Sequence, residues 1–369
     1  MRNTGVISMG IKAPIIKEGD DLVEIAVNKV LEATANLNGG YDINDRDIIG
    51  ITESVVARSM GNYVSVDDVA DETRRIFGDN PEILIFNPIY SRNRFSMILK
   101  GIARAAKKIL FSVPMFDEVG NPLGVNPFTG VDIEKYYTEI CKAENCEVEF
   151  DEHPGLMSFI AYNDYSNWLY CGLHDYNGWK TRRELQKDGK IFATLADFFA
   201  DKCEYGLLGS NKATEEKLKL FPKKEPTTQM CLAIKEGIKK YTGKDVLVCV
   251  YGDGCFKDPV GGIWEFADPV TMPAFTDEDV FLSSPFELKL KAFADDKFAG
   301  LSGKELETAM KDEIRNKTNS EDNPMNRQGT TPRVYRDLIA SLMDLTSGSG
   351  DKGTPFILIQ HYFDNFATE

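Results

Sequence analysis

Histidine is scarce in this chain of 369 residues: there are three, far apart, at His153, His174 and His361. The seven cysteines are an odd number, and no C-x-x-C spacing occurs. That argues against a zinc centre of the His/Cys type. Cys249 falls in an apolar strand pattern and Cys231 on a helical one, so the thiols read as buried and reduced. His174, with Cys171 nearby in "CGLHDY", reads as a structural or surface residue, with ligand contact as the alternative. Positive charge is also short, with 43 Lys and Arg against 58 Asp and Glu, a net charge of −15. A nucleic-acid surface needs basic residues to neutralise phosphates, so the charge argues against that partner and none is expected. A small anionic ligand is not excluded, because a local basic pocket can sit in an acidic protein. No apolar run approaches the roughly 20 residues of a membrane span. The opening "MRNTGVISMGIKAPIIKEGDD" is broken early by charge and proline and lacks the apolar stretch of a signal peptide. A cytoplasmic location with no membrane partner is expected.

What is present is an ordinary globular composition, 42 % hydrophobic and 27 % charged, long enough for two domains. "GDDLVEIAVNKVLEA" has helical apolar spacing behind an Asp cap. A strand is expected over "IIGITESVVA", a helix over "VDDVADETRRIFG" stopped by Gly78, and a strand at "EILIFNP". In "SRNRFSMILKGIARAAKKILFSV", Phe95, Ile98, Leu99, Ile102 and Ala106 make an amphipathic helix. Its first turn brings Arg92 and Arg94, and its other face carries Lys100, Arg104, Lys107 and Lys108. A long loop follows over 114–130. Residues 131–200 are aromatic-rich and irregular, with helices expected at 132–143 and 179–200. "EPTTQMCLAIKEGIKKYTGKD" reads as a helix capped by Thr227 or Thr228, stopped by Gly243 and feeding the strand "VLVCVY". Ser302 and Glu305 match a capping box. A polar linker runs from about Asn316 to Thr331, and Pro332 opens the last helix. "FILIQHYF" is the last strand. No repeat or low-complexity tract occurs. This loose alternation with long irregular insertions favours a mixed α+β or α/β architecture over a clean doubly wound sheet.

Five constellations bear on chemistry. In "YGDGCFKDPVGG", Asp253 follows an apolar strand between Gly252 and Gly254, and Asp258 comes next with Lys257 beside it. Glu265 and Asp268 are close behind. Carboxylates at a strand end beside glycines suit a hard cation such as Mg²⁺ or Mn²⁺; EF-hand spacing is absent. The plain alternative is a glycine-rich turn whose Asp side chains cap backbone N–H groups. "SGSGDKGTP" lacks phosphate-loop spacing and runs from helix to strand, the reverse of that motif, yet it could line a site. "SRNRF" offers two guanidinium groups at a helix start, an anion clamp or a solvated basic face. "GLLGSNK" brings Ser210 and Asn211 beside glycine, close to a ligand or to a capped helix start. "ITESVVARSMGN" puts Glu53 and Arg58 along or just past a strand, facing a cleft or solvent.

In order, these segments resemble the gamma-glutamyl ligases of deazaflavin (coenzyme F-420) biosynthesis. "MGIKAPIIKEGDDLVEI" resembles the family's opening, and "ITESVVARSMG" its strand and "SKAEG"-like turn. "YGLLGSN" resembles its "AGIDxSN" element. "KLFPKKEP", a helix, "YTGKDVLVCV" and "YGDGCFKDPVG" follow its middle, and "DLIASLMDLTSGSGDKGTPFILIQHY" its end. The match covers about 8–70 and 204–362. It implies an α+β, two-domain mixed α/β chain with a ligase-like core over 1–80 and 204–369. Residues 81–203 form an insertion-rich region, an expected acceptor-binding subdomain.

The resemblance implies a homodimeric, metal-dependent ligase using GTP, or else ATP. It joins L-glutamate to a small-molecule carboxylate acceptor through an acyl phosphate. Asp253 matches the metal-binding aspartate, with Asp258 and Glu265 as further candidates for Mg²⁺ or Mn²⁺. Ser210, Asn211, Gly252, Gly254, Arg92 and Arg94 become the nucleotide and anion candidates. Arg58, at the "SKAEG" lysine, and Lys257 become the catalytic cations. Leu208 stands where the family has an aspartate, and "KDPVG" replaces its "GRPWR" arginines. These departures keep open a non-catalytic nucleotide-binding relative; the clustered carboxylates alone also suit a metal-dependent phosphohydrolase.

Overall fold

The computed structural model describes residues 4–86, 88, 90, 94–114, 116, 123–125, 130–153, 164–171, 186, 188–252, 274–285, 288–316, 334–348 and 350–368. Three sheets organise them. The first has the order β1 (Ile7–Ile11), β13 (Phe356–Gln360), β2 (Ile48–Thr52), β11 (Leu247–Tyr251), β12 (Ala274–Phe275). Its central strands are apolar on both faces because both are covered. Helices α1 (Leu22–Thr34) and α6 (Lys224–Thr242) pack on one face against Ile49, Ile51, Val248, Val250 and Leu358. Helix α10 (Tyr335–Ser347) packs Ile339, Ala340 and Met343 on the other, against Ile48, Cys249, Ile357 and Ile359. Gly50 permits this contact: a Cβ there would lie 2.2 Å from Met343 Sδ.

The second sheet is a small antiparallel one, β3 (Tyr63–Ser65), β10 (Lys217–Leu220), β9 (Ser210–Lys212). The third is entirely parallel, in the order β6 (Glu147–His153), β5 (Lys108–Pro114), β4 (Glu82–Phe86), β7 (Asn167–Tyr170), β8 (Ile191–Thr194). Its strands run outward from β4 in one direction and then in the other, the order of a doubly wound sheet. Helices α4 (Arg94–Ala105) and α5 (Ile133–Ala143) connect its first three strands. One hydrophobic core joins this sheet to α3 (Val66–Phe77) and the second sheet, taking in Val69, Ile98, Phe111, Leu169 and Leu218. The remaining helices are α2 (Glu53–Ser59), α7 (Glu278–Phe281), α8 (Leu290–Asp295) and α9 (Gly303–Arg315).

Local signals account for much of this. Asp21 caps α1 by accepting from Glu24 N at 3.0 Å. Ser65 and Asp68 form a reciprocal capping box on α3, which stops at Gly78 with φ 87°. Gly243, at φ 70°, ends α6 in the left-handed region. The mixed α+β character is as expected.

Several expectations fail locally. The strand at "IIGITESVVA" stops at Thr52, where its partners also run out: β11 ends at Tyr251 and β13 begins at Phe356. Without a ladder the chain turns into α2. Lys107 and Lys108 are not on α4. Lys107 N donates to Pro81 O, and Lys108 opens β5 opposite Glu82, so sheet pairing overrides helical continuation. Residues 191–194 are a strand rather than helix; Phe192 and Ala193 are buried beside β7. The stretch read as irregular thus contributes strands to the most regular sheet of the molecule. Thr227 and Thr228 lie inside α6, which starts at Lys224, and their hydroxyls donate to Lys223 O and Lys224 O. Pro226 is tolerated there because N–H groups of the first turn have no intrahelical acceptor. Ser302 is the N-cap of α9, but its side chain makes no cap hydrogen bond. Described helix α10 begins at Tyr335, with Thr331 and Pro332 outside the described residues.

Candidate functional site

Strands β2 and β11 run parallel with Thr52 opposite Tyr251. Both chains therefore leave the first sheet at one edge. β1 ends and β13 begins at the same edge, since Ile11 pairs with Phe356. A cavity of about 850 Å³ opens there, of a size suited to a small-molecule ligand. Its wall joins segments distant in sequence: the turn after β1, the start of α2, β9 and β10, the end of β11, and the loop between α10 and β13.

Glu53, the first residue of α2, is 3 % exposed. Asn211 Nδ2 donates to its Oε1 at 3.2 Å. Next to it, Ser54 Oγ accepts from Lys219 Nζ. Asn211 and Lys219 are direct partners in the β9·β10 ladder, so their side chains share a face. Leu218 and Leu220 point the other way and are fully buried. Arg58 on α2, Asp344 on α10, the phenol of Tyr251, and Lys212 with Glu215 add to the charged and polar lining. Burial raises the Tyr251 pKa, partly offset by the Ser347 and Thr52 hydroxyls nearby, so the phenol stays neutral at physiological pH. The "SGSGDKGTP" loop lines the cavity through Ser347, Gly348, Gly353, Thr354 and Pro355. Thr354 Oγ1 ties it back to Ser347 O at 3.0 Å.

The sequence-predicted residues divide into three groups. Arg58 and Asn211 line the cavity. Ser210 is fully buried and donates to Leu207 O at 2.6 Å, which closes the turn before β9. Gly252 is buried directly after β11. Asp253, Gly254, Lys257, Asp258, Glu265 and Arg92 lie outside the described residues, as does the side chain of Arg94. On α4, Lys100 pairs with Glu216 at 2.5 Å, and Arg104 holds Glu144 at 2.9 Å and Asp67 at 2.7 Å. That part of the basic face is committed to ion pairs. Leu208 sits in the turn over Gly206–Gly209 and packs against the large core.

Lys219 belongs to none of the sequence motifs, and Glu53 stands in the sequence only as a charge near a strand end. The signal for Lys219 was the alternation "KLKL" in a short strand, which puts both lysines on one face. Among the described residues no group of three or more His, Cys, Asp and Glu is arranged to hold a metal ion. Glu53 and Asp344 nevertheless supply two carboxylates to one cavity, the oxygen donors a hard cation takes. The six described cysteines are all buried thiols outside any disulfide. Among the described residues no helix is long and apolar enough to cross a membrane.

No curated protein matches the sequence. Among solved structures, a chain of the tetrameric eIF2B-beta2-delta2 complex from C. thermophilum aligns at 10 % identity. The alignment covers 35 % of this chain and 42 % of that one, with a TM-score of 0.24. The model of the F420-0:gamma-glutamyl ligase family matches residues 10–361. That is nearly the whole sequence, and the chain belongs to the F420-0:gamma-glutamyl ligase family.

Proposed function

We propose that the cavity at the shared end of β2 and β11 is the active site of a nucleotide- and metal-dependent acid–amino-acid ligase. It joins the amine of L-glutamate to a small-molecule carboxylate acceptor. The observation that carries this reading is the convergence of Glu53, Asn211, Lys219, Arg58 and Asp344 on one cavity in a chain of this ligase family.

A carboxylate is a poor electrophile, so the acceptor must be activated. An acceptor oxygen attacks the γ-phosphorus of GTP, or ATP in its place, and the bond to the β-phosphate oxygen breaks. The nucleoside diphosphate leaves, and the acceptor becomes an acyl phosphate. The glutamate amine then attacks the acyl carbon, phosphate departs, and the amine proton passes to solvent. The chain must neutralise the phosphates and hold three reactants in line. Arg58, with Lys257, supplies positive charge. Asn211 and the backbone around Gly252 and Gly254 approach the nucleotide closely. Arg92 and Arg94 are assigned to anionic groups of the substrates. Glu53 and Asp344 would hold a divalent cation, Mg²⁺ or Mn²⁺, with Asp253, Asp258 and Glu265 as further ligands. When bound, that cation would screen the charge of the transferring phosphoryl group.

Residues 81–203, which include the doubly wound sheet, are assigned to acceptor selection. A deazaflavin, folate-type or other carboxylate fits this reading, as does a homodimer in solution.

The test is turnover with GTP or ATP, Mg²⁺ or Mn²⁺, L-glutamate and a panel of carboxylate acceptors. The reading requires nucleoside diphosphate release that depends on both acceptor and amine. It also requires transfer of ¹⁸O from acceptor carboxylate to phosphate. Nucleotide binding without turnover would identify a non-catalytic relative. Phosphoester hydrolysis without any amine would identify a phosphohydrolase.

A further inference from the structure

Lysines in this protein are usually neutralised where they are partly buried. Lys235, 12 % exposed, sits on Asp277 at 2.8 Å, and Lys100 sits on Glu216. Lys212, at the cavity wall, sits on Glu215 at 2.6 Å. Lys219 differs. It is half-buried at the same wall, and its ammonium donates to a neutral hydroxyl, that of Ser54. Among the described residues no carboxylate lies within ion-pair distance of it or of Arg58. The cavity thus has two cationic side chains whose charge no described neighbour cancels. The carboxylates Glu53 and Asp344 line the same space.

We infer that Lys219 is a polyphosphate-binding residue, gripping the non-bridging oxygens of a nucleoside triphosphate. This rests on the ligase reading of the cavity. A cation in a partly desolvated wall attracts an anion more strongly than one in open water. The β9·β10 ladder fixes where Lys219 emerges, directly beside Asn211. Its Ser54 contact holds the ammonium over the start of α2 and is readily exchanged for a phosphate, because the hydroxyl acceptor is neutral and a phosphate oxygen is charged. The ligand class follows from the charge layout. A lone carboxylate would satisfy one cation. A polyphosphate carries enough charge for Lys219 and Arg58 together and leaves oxygens for a divalent cation held by the carboxylates.

The experiment is calorimetric titration with GTP, ATP and inorganic tripolyphosphate, with and without Mg²⁺. The chains compared are wild type, Lys219→Met, Lys219→Arg and Lys217→Met. Lys217 is exposed on the same strand and is the control. Lys219→Met is expected to weaken binding about tenfold or more, both with and without Mg²⁺, as loss of a direct charge contact requires. Lys219→Arg stays within a few-fold of wild type, and Lys217→Met matches it. If Lys219→Met does not fold, Lys219→Gln against Lys219→Arg takes its place. Wild-type binding that Lys219→Met leaves within twofold overturns the assignment, whatever the turnover result. Binding that Lys219→Met abolishes, without amide formation under any condition, leaves Lys219 standing and overturns the ligase reading. A wild type that binds none of the three anions overturns both.

Discussion

Asn211 donates to Glu53 at 3.2 Å across 158 residues of sequence, joining the second sheet to the helix that begins where β2 leaves the first. The bond holds a buried carboxylate at the cavity wall. Glu53→Gln keeps the volume and an oxygen for Asn211 but removes the charge. Thermal unfolding is expected to stay within a few degrees of wild type. Mn²⁺ affinity in the presence of nucleotide, read by electron paramagnetic resonance, should fall by about tenfold or more. Unchanged Mn²⁺ binding would remove Glu53 from the proposed set of metal ligands.

Helices α3 and α4 meet at Gly101, where an added Cβ would lie 2.5 Å from Val69 Cβ and 2.9 Å from Val66 O. Alanine is the better helix former by about 1 kcal/mol. Overpacking a rigid contact costs about 1–3 kcal/mol, and Val69, being β-branched, cannot swing aside. Gly101→Ala should therefore lower stability in urea unfolding. A gain would show that the two helices separate freely.

Arg104 ties three helical segments together, gripping Glu144 with two hydrogen bonds of 2.9 Å and Asp67 with one of 2.7 Å. Asp67 is 79 % exposed and adds little; Glu144 is 14 % exposed, and its pair is the one that counts. Arg104→Ala should cost about 1–2 kcal/mol. Arg104→Lys should recover less than half of that, because an ammonium cannot make the two-pronged contact. Equal stability of the Lys variant and wild type would contradict this.

Burial pushes the thiols of Cys203 and Cys231 up to about 11 and about 12. Between pH 9 and those values the unfolded chain loses these protons and the native chain keeps them. Their contribution to stability is intact below pH 9 and is lost as pH rises through that window, at about 1.4 kcal/mol per unit for each thiol. Denaturant midpoints should fall from pH 9 to 10.5, and Cys231→Ala should flatten the fall. A midpoint independent of pH there would mean the thiols are not buried.

What could be read without coordinates was local. Helix α1, the capping box of α3, the glycine stops at Gly78 and Gly243 and the apolar central strands follow from period, caps and φ preferences acting within a few residues. The order of segments along the chain was legible too, and it carries the resemblance to the ligase family. The failures occurred where pairing between distant strands decides. Whether 191–194 is strand or helix depends on β7. The end of β2 depends on β11 and β13.

The sequence by itself determined an acidic chain poor in histidine, its family, and the local form of most elements, because these depend on composition and neighbours. Only the tertiary structure decided that residues 82–194 contain a parallel doubly wound sheet, and that Glu53, Lys219 and Asp344 share a cavity with Arg58 and Asn211. The physical reason is register. The parallel β2·β11 pair brings two strand ends to one edge, and the β9·β10 ladder aims Asn211 and Lys219 at it. No spacing in the chain encodes a meeting of residues 53, 219 and 344.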